Sequence, residues 1–123
     1  MEKYLTKVVM LRFFDKIVVL TLMMLLFASP FNGQITSHQD KKLLFKADNA
    51  FDYGDYLAAL KIYQTLYPLD SNGHEINYKI GVCYFEIKKM RGDSKRYFEK
   101  TSISRFPETN YYLGMVNHLL NKL

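Results

Sequence analysis

From Asp40 onward the apolar positions recur every three or four residues, and no stretch shows the strict alternation of a half-buried strand. Leu43, Ala47, Ala50 and Phe51 share one face, while Lys41, Lys42, Lys46, Asp48 and Asp52 fall elsewhere, which predicts an amphipathic helix from about Asp40. Asp52-Tyr53-Gly54-Asp55 breaks it: Gly54 suits a tight turn, and Asp55 can cap the next helix. That second helix is predicted from Tyr56 to about Tyr67, with Tyr56, Ala59, Leu60, Tyr63 and Leu66 inward, and Pro68 starts a loop reaching Gly73. A third helix is expected over His74–Ile87, then a basic turn from Lys88 to Gly92. A fourth, capped by Asp93 or Ser94, presents Tyr97, Phe98, Thr101 and Ser102 until Phe106-Pro107, and a fifth begins near Glu108 with Tyr112, Leu113, Val116, His118 and Leu120.

The third helix carries a glycine, Gly81, where alanine would be about 1 kcal/mol better. Close approach of a neighbouring helix backbone would justify it. Asn77, Ile80, Gly81 and Tyr84 lie on one helical face, and the phrase returns 33 residues later as Asn110-Tyr111-Tyr112-Leu113-Gly114. A weaker version, Leu43-x-x-Lys46-Ala47-x-x-Ala50, stands 34 residues earlier. Recurrence at this period is the signature of a helical repeat array. The expected fold is therefore all-α, an array of antiparallel helix-turn-helix pairs with about five helices after the N-terminal segment.

Asn77-x-x-Ile80-Gly81-x-x-Tyr84, with Ala59-x-x-x-Tyr63 in the preceding repeat, resembles the tetratricopeptide repeat family, whose 34-residue unit reads W-x2-L-G-x2-Y, then A-x3-F, then P. The likeness spans about residues 40–123, with repeats near 40–73 and 74–106 and a partial one at 107–123. The sequence departs from the pattern in having no tryptophan, Ala47 for the first glycine, an added residue near Lys88–Gly92, and Asn117 at the third aromatic position. The resemblance implies a right-handed superhelix whose concave face is lined by the first helix of each repeat. On this chain it points to Asp48 and Asp52, then Tyr78, Val82, Phe85 and Glu86, then Tyr111 and Met115, as residues that meet a protein or peptide partner. Acidic and aromatic side chains together would suit a peptide with basic and apolar groups.

Lys7, Arg12 and Lys16 precede an apolar run from Ile17 to Ala28, followed by Ser29-Pro30 and Gly33. Twelve residues of helix span roughly 18 Å, short of the ~30 Å hydrocarbon core, so residues 1–33 read as a signal peptide cut after Ala28, Ser29 or Gly33, an uncleaved anchor and then a buried helix being the alternatives. No cysteine directly follows the run, which argues against a lipoprotein anchor. Residues 34–39 read as a tether. Export places the module in the periplasm or at the outer membrane. The order of leader and repeats is similar to the N-terminal region of large bacterial envelope proteins in which such repeats precede a β-propeller and an OmpA-like peptidoglycan-binding domain. Two readings stay open: the fifth helix caps the array, or the chain is a truncated N-terminal fragment or structural spacer of such an assembly protein.

Composition alters this picture little. The formal charge is +5, but residues 34–123 hold 13 basic against 10 acidic side chains in no basic stripe, which argues against nucleic acid. A single cysteine, Cys83, excludes an internal disulfide, and its place beside Gly81 and Tyr84 makes it a small core residue. His38, His74 and His118 stand apart, without partners at metal-ligand spacing. No phosphate-cradling loop or nucleophile context is present, so the expectation is a non-enzymatic interaction module without cofactor, metal or small-molecule substrate.

Overall fold

The computed structural model describes the backbone of residues 1–27 and 34–122, with side chains described for 1–23 and 34–122. The chain falls into two compact units, Met1–Phe31 and Asn32–Leu123. The first consists of one helix, α1 (Glu2–Phe27), in which Thr6 and Thr21 turn their hydroxyls back onto the carbonyls of Glu2 and Ile17, at 3.1 and 2.9 Å. Its side chains through Met23 are exposed. Among the described residues no helix is long and apolar enough to cross a membrane. The cleavage positions expected at Ala28, Ser29 and Gly33 lie outside the described residues.

The second unit is all-helical, with no strand among the described residues. Its helices are α2 (His38–Asp52), α3 (Tyr56–Leu66), α4 (His74–Glu86), the short α5 (Lys95–Phe98) and α6 (Thr109–Leu120). The expected tether is more ordered than its polarity suggests. Ser37 caps α2 by accepting the Asp40 N–H at 3.0 Å while its hydroxyl donates to the Asp40 carboxylate, and Ile35 packs onto the core. The α2–α3 turn forms as expected: Gly54 takes a left-handed φ of 78°, and the Asp55 N–H reaches back to the Ala50 carbonyl at 2.9 Å. Asp55 then caps α3, accepting the Ala58 N–H at 3.1 Å.

Consecutive elements pack on one another, and α4 also touches α6. One apolar cluster joins α2, α3 and α4 through Ala47, Ala59, Leu60, Tyr63, Leu66, Ile76, Ile80 and Cys83. A second joins α4, α5 and α6 through Val82, Phe85, Phe98 and Val116. With partners on both sides, α4 is buried from Ile80 to Phe85 without interruption, which an amphipathic surface helix never is.

Two expectations need correction in the segment after α4. A helix from Asp93 or Ser94 to Phe106 does not form: Lys88–Ser94 is a 3₁₀ segment, the α-helix lasts only from Lys95 to Phe98, and turns fill the rest. Ser94 caps nothing, since its hydroxyl donates to the Arg91 carbonyl at 2.7 Å. The sequence reason lies in Thr101-Ser102-Ile103-Ser104, whose hydroxyls compete with the helical ladder: Thr101 bonds back to the Tyr97 carbonyl at 3.1 Å, and Ser102 and Ser104 pair at 2.9 Å. The neighbour that Gly81 requires is also a side chain and not a backbone. A Cβ at Gly81 would sit 2.7 Å from Cε1 of Phe98, whose ring is fully buried.

Candidate interaction surface

The residues that the sequence points to divide sharply once the helices pack. Val82 and Phe85, expected on an open groove wall, are buried at 5% and 6% exposure in the cluster between α4, α5 and α6. Phe85 lies edge-on to Tyr112, 5.0 Å between centroids, and carries the Arg91 guanidinium 4.4 Å above its ring. Arg91 is fixed there because its Nε–H donates to the Phe85 carbonyl at 2.8 Å, at the end of α4. Tyr78 is half-buried and stacks on Phe106 at 4.6 Å, with Phe98 and Tyr112 at 6.3 and 6.4 Å. Tyr78 and Phe85 build an aromatic layer and Val82 packs in the same cluster, so the three do not form a vacant wall. Burial, then Tyr78 and Glu86 nearby, pushes the Tyr112 phenol up to about 12.

Asp48 holds two helices to α2. It accepts the Tyr63 O–H at 2.6 Å from α3 and the Lys79 ammonium at 2.7 Å from α4, and Lys79 reaches Glu75 as well at 3.2 Å. Burial raises the Tyr63 phenol, and its bond to Asp48 adds to the shift. For Lys79, burial alone acts downward, but Asp48 and Glu75 outweigh it and hold the ammonium above its ordinary range. Cys83, close to this network and fully buried, is pushed up to about 12 by burial, so its thiol is an inert core group. The arrangement is a clamp in which one oxygen of Asp48, Oδ1, serves both Tyr63 and Lys79.

Asp52 and Glu86 are exposed at the margins of these groups, Asp52 near Tyr63 and Glu86 near Tyr112. Tyr111 and Met115 differ: they stand side by side on α6 at 63% and 42% exposure. Shifting α4 by 33 residues onto α6 explains why. Ile76 and Cys83 correspond to Thr109 and Val116, and all four are buried. Asn77, Tyr78, Gly81, Val82, Tyr84 and Phe85 are buried or half-buried on α4, yet their counterparts Asn110, Tyr111, Gly114, Met115, Asn117 and His118 are all exposed. On α4 the segment that follows covers Tyr78, Gly81 and Phe85, while Asn77 donates to the Ser71 and Gly73 carbonyls of the preceding loop and Tyr84 accepts from Gln64 of α3; on α6 the corresponding positions are exposed. A Cβ at Gly114 would meet nothing within 4 Å.

The sequence reading thus placed Tyr111 and Met115 on the surface but left out Gly114, Asn110 and Asn117, which complete the same face. The 33-residue register carried that information, since it puts Gly114 where Gly81 receives a ring. Among the described residues no three His, Cys, Asp or Glu side chains gather as metal ligands would. No family model, curated protein or solved structure matches this chain.

Proposed function

We propose that the chain is an exported, non-enzymatic protein-interaction module of the tetratricopeptide-repeat kind, and that it docks a helical segment of a partner protein on the open face of α6. The observation that carries this reading is the pair of matched faces: Tyr78, Gly81 and Phe85 are covered by an aromatic-bearing segment, whereas Asn110–His118, with the same Asn-Tyr-x-aliphatic-Gly phrase, exposes Tyr111 and Met115 beside Gly114, where a Cβ would meet nothing within 4 Å. An exposed tyrosine and methionine supply the rigid and the adaptable apolar contacts that protein interfaces favour. Export is supported by Lys7, Arg12 and Lys16 preceding the apolar stretch of α1.

A photo-crosslinking residue placed at Tyr111 tests the docking face, with the same residue at the still more exposed Tyr53 as control. The expected result is one adduct of discrete mass from position 111, none from 53, and loss of the adduct when Gly114→Leu adds a side chain to the face. Equal labelling from both positions, or none from 111, overturns the reading. Export is tested separately by mass spectrometry of the chain recovered outside the cytoplasm: a product lacking α1 is expected, and only the intact 14.5 kDa chain retained inside would contradict it.

A further inference from the structure

The positive charge of the second unit is gathered in one segment. Residues 34–123 carry 13 basic and 10 acidic side chains, a net +3, whereas residues 88–100 alone carry six (Lys88, Lys89, Arg91, Lys95, Arg96, Lys100) against two (Asp93, Glu99), a net +4. Two of the six are committed within the chain, Arg91 to the Phe85 carbonyl at 2.8 Å and Lys95 to Glu99 at 3.8 Å. Arg96 and Lys100 differ. Among the described residues neither has a carboxylate within ion-pair distance, and Asp93 acts on Arg96 only from farther away. Both are held instead against tyrosines, around a cavity of about 210 Å³ lined by Tyr67, Arg96, Tyr97 and Lys100. The Arg96 guanidinium lies 4.9 Å from the Tyr97 ring centre, and the Lys100 ammonium lies 5.6 Å from that of Tyr67 while donating to its hydroxyl at 2.9 Å. The wall behind them is fixed. Tyr97 is buried, stacks on Tyr84 at 5.3 Å and meets Tyr67 edge-on at 5.6 Å, and the Lys100 carbonyl accepts from Nδ1 of His74 on α4 at 2.9 Å.

Size and charge together select the occupant. The cavity is smaller than the ~300 Å³ at which pockets for whole small molecules begin, so it takes the end group of a ligand. Two cations without carboxylates call for an anion, and a single carboxylate leaves one of them unmatched. A phosphate monoester, with a charge of about −1.5 to −2 at neutral pH and three acceptor oxygens, matches both. The guanidinium offers it a planar fork of donors and the ammonium a mobile point charge. We propose that this cavity, between the end of α3 and α5, binds a phosphate monoester, with Arg96 and Lys100 holding the phosphate and the rings of Tyr67 and Tyr97 receiving the group attached to it.

Calorimetric titration of the full chain with phenyl phosphate tests the site. The expected result is saturable binding with a Kd of about 1 mM or tighter. Arg96→Gln and Lys100→Gln each weaken it about tenfold or more, whereas Lys89→Gln, the same charge change in the same segment but outside the cavity lining, weakens it less than about twofold. All three side chains are exposed, so the helical circular dichroism stays as in the parent. Benzoate, with the same ring and one carboxylate, binds at least about tenfold more weakly than phenyl phosphate. Equal losses in the three variants show a diffuse attraction to the basic segment, benzoate binding as tightly as phenyl phosphate shows a carboxylate site, and no saturable binding shows cations that only cover the tyrosines; each of these overturns the proposal. Competition then identifies the source of the phosphate. Release of bound phenyl phosphate by phosphatidylcholine vesicles containing phosphatidic acid, but not by pure phosphatidylcholine vesicles, assigns a lipid headgroup, and retention with both assigns a soluble ester.

Discussion

Helices α4 and α6 write nearly the same phrase and live in opposite surroundings. In both, the positions facing backwards along the chain are buried, Ile76 and Cys83 in one and Thr109 and Val116 in the other. The forward faces differ because α4 is followed by a segment that lays Phe98 and Phe106 across it, whereas the forward face of α6 lies open. Burial of a helix face is therefore a property of its neighbours as much as of its own residues. Glycine in mid-helix makes room for the Phe98 ring at position 81 and faces open space at 114, from the same letter in the same context.

The comparison is broken most severely by removing the ring that separates the two cases. Phe98→Ala empties the space against Gly81 and unstacks Tyr112, which lies 4.9 Å away and nearly parallel, so urea unfolding should lose about 3–5 kcal/mol. Next in size is Asp48→Ala. It leaves the buried Tyr63 hydroxyl without its acceptor and Lys79 with only Glu75, a loss of about 1–3 kcal/mol by the same measurement.

Alkaline pH probes the covered side through its protonated groups. The Cys83 thiol and the Tyr112 phenol both titrate near 12 in the folded chain, against ordinary values of 9.0 and 10.0, and the Lys79 and Tyr63 values are raised as well. Folded-state values above the unfolded ones mean that the native chain keeps protons the unfolded chain has lost. Their contribution is complete below pH 9 and is lost as pH rises toward 12. The urea midpoint should hold level up to about pH 9 and then decline, and Cys83→Ala should move the onset of that decline toward 10. A midpoint that rises above pH 9 would contradict the placement of these groups. The smallest effect belongs to the open face, where Tyr111→Ala should change the stability of the dilute chain by no more than about 0.5 kcal/mol.

Helix number and type were legible because their punctuation is local. Gly54 and Asp55 end α2 and start α3 by rules that need no tertiary context, and the period of apolar residues marks α2, α3, α4 and α6. Gly81 announced a close neighbour through its propensity penalty, but propensity cannot say whether a ring or a backbone fills the gap. The end of α5 at Phe98 was hidden, because Tyr97, Phe98 and Thr101 keep a helical spacing while the hydroxyls of Thr101, Ser102 and Ser104 divert the backbone. Val82 and Phe85 flank the Ile80-Gly81-Tyr84 stripe and so read as surface, yet a helix enclosed by two clusters has no outer flank at that height. Among the candidate contact positions on α4 and α6, Tyr111 and Met115 are exposed while Tyr78, Val82 and Phe85 are not, a difference that depends on packing neighbours and that a single helix pattern does not encode.

Gly81→Ala and Gly114→Ala, measured side by side by urea denaturation in dilute solution, test most directly whether neighbours decide the fate of this phrase. Alanine at 81 drives a methyl into the buried Phe98 ring, and the strain outweighs the gain in helix propensity, for a net loss of about 1–2 kcal/mol. Alanine at 114 meets nothing and should stabilise the chain by about 0.5–1 kcal/mol. Opposite signs are the predicted result; two changes of the same sign and similar size would contradict it.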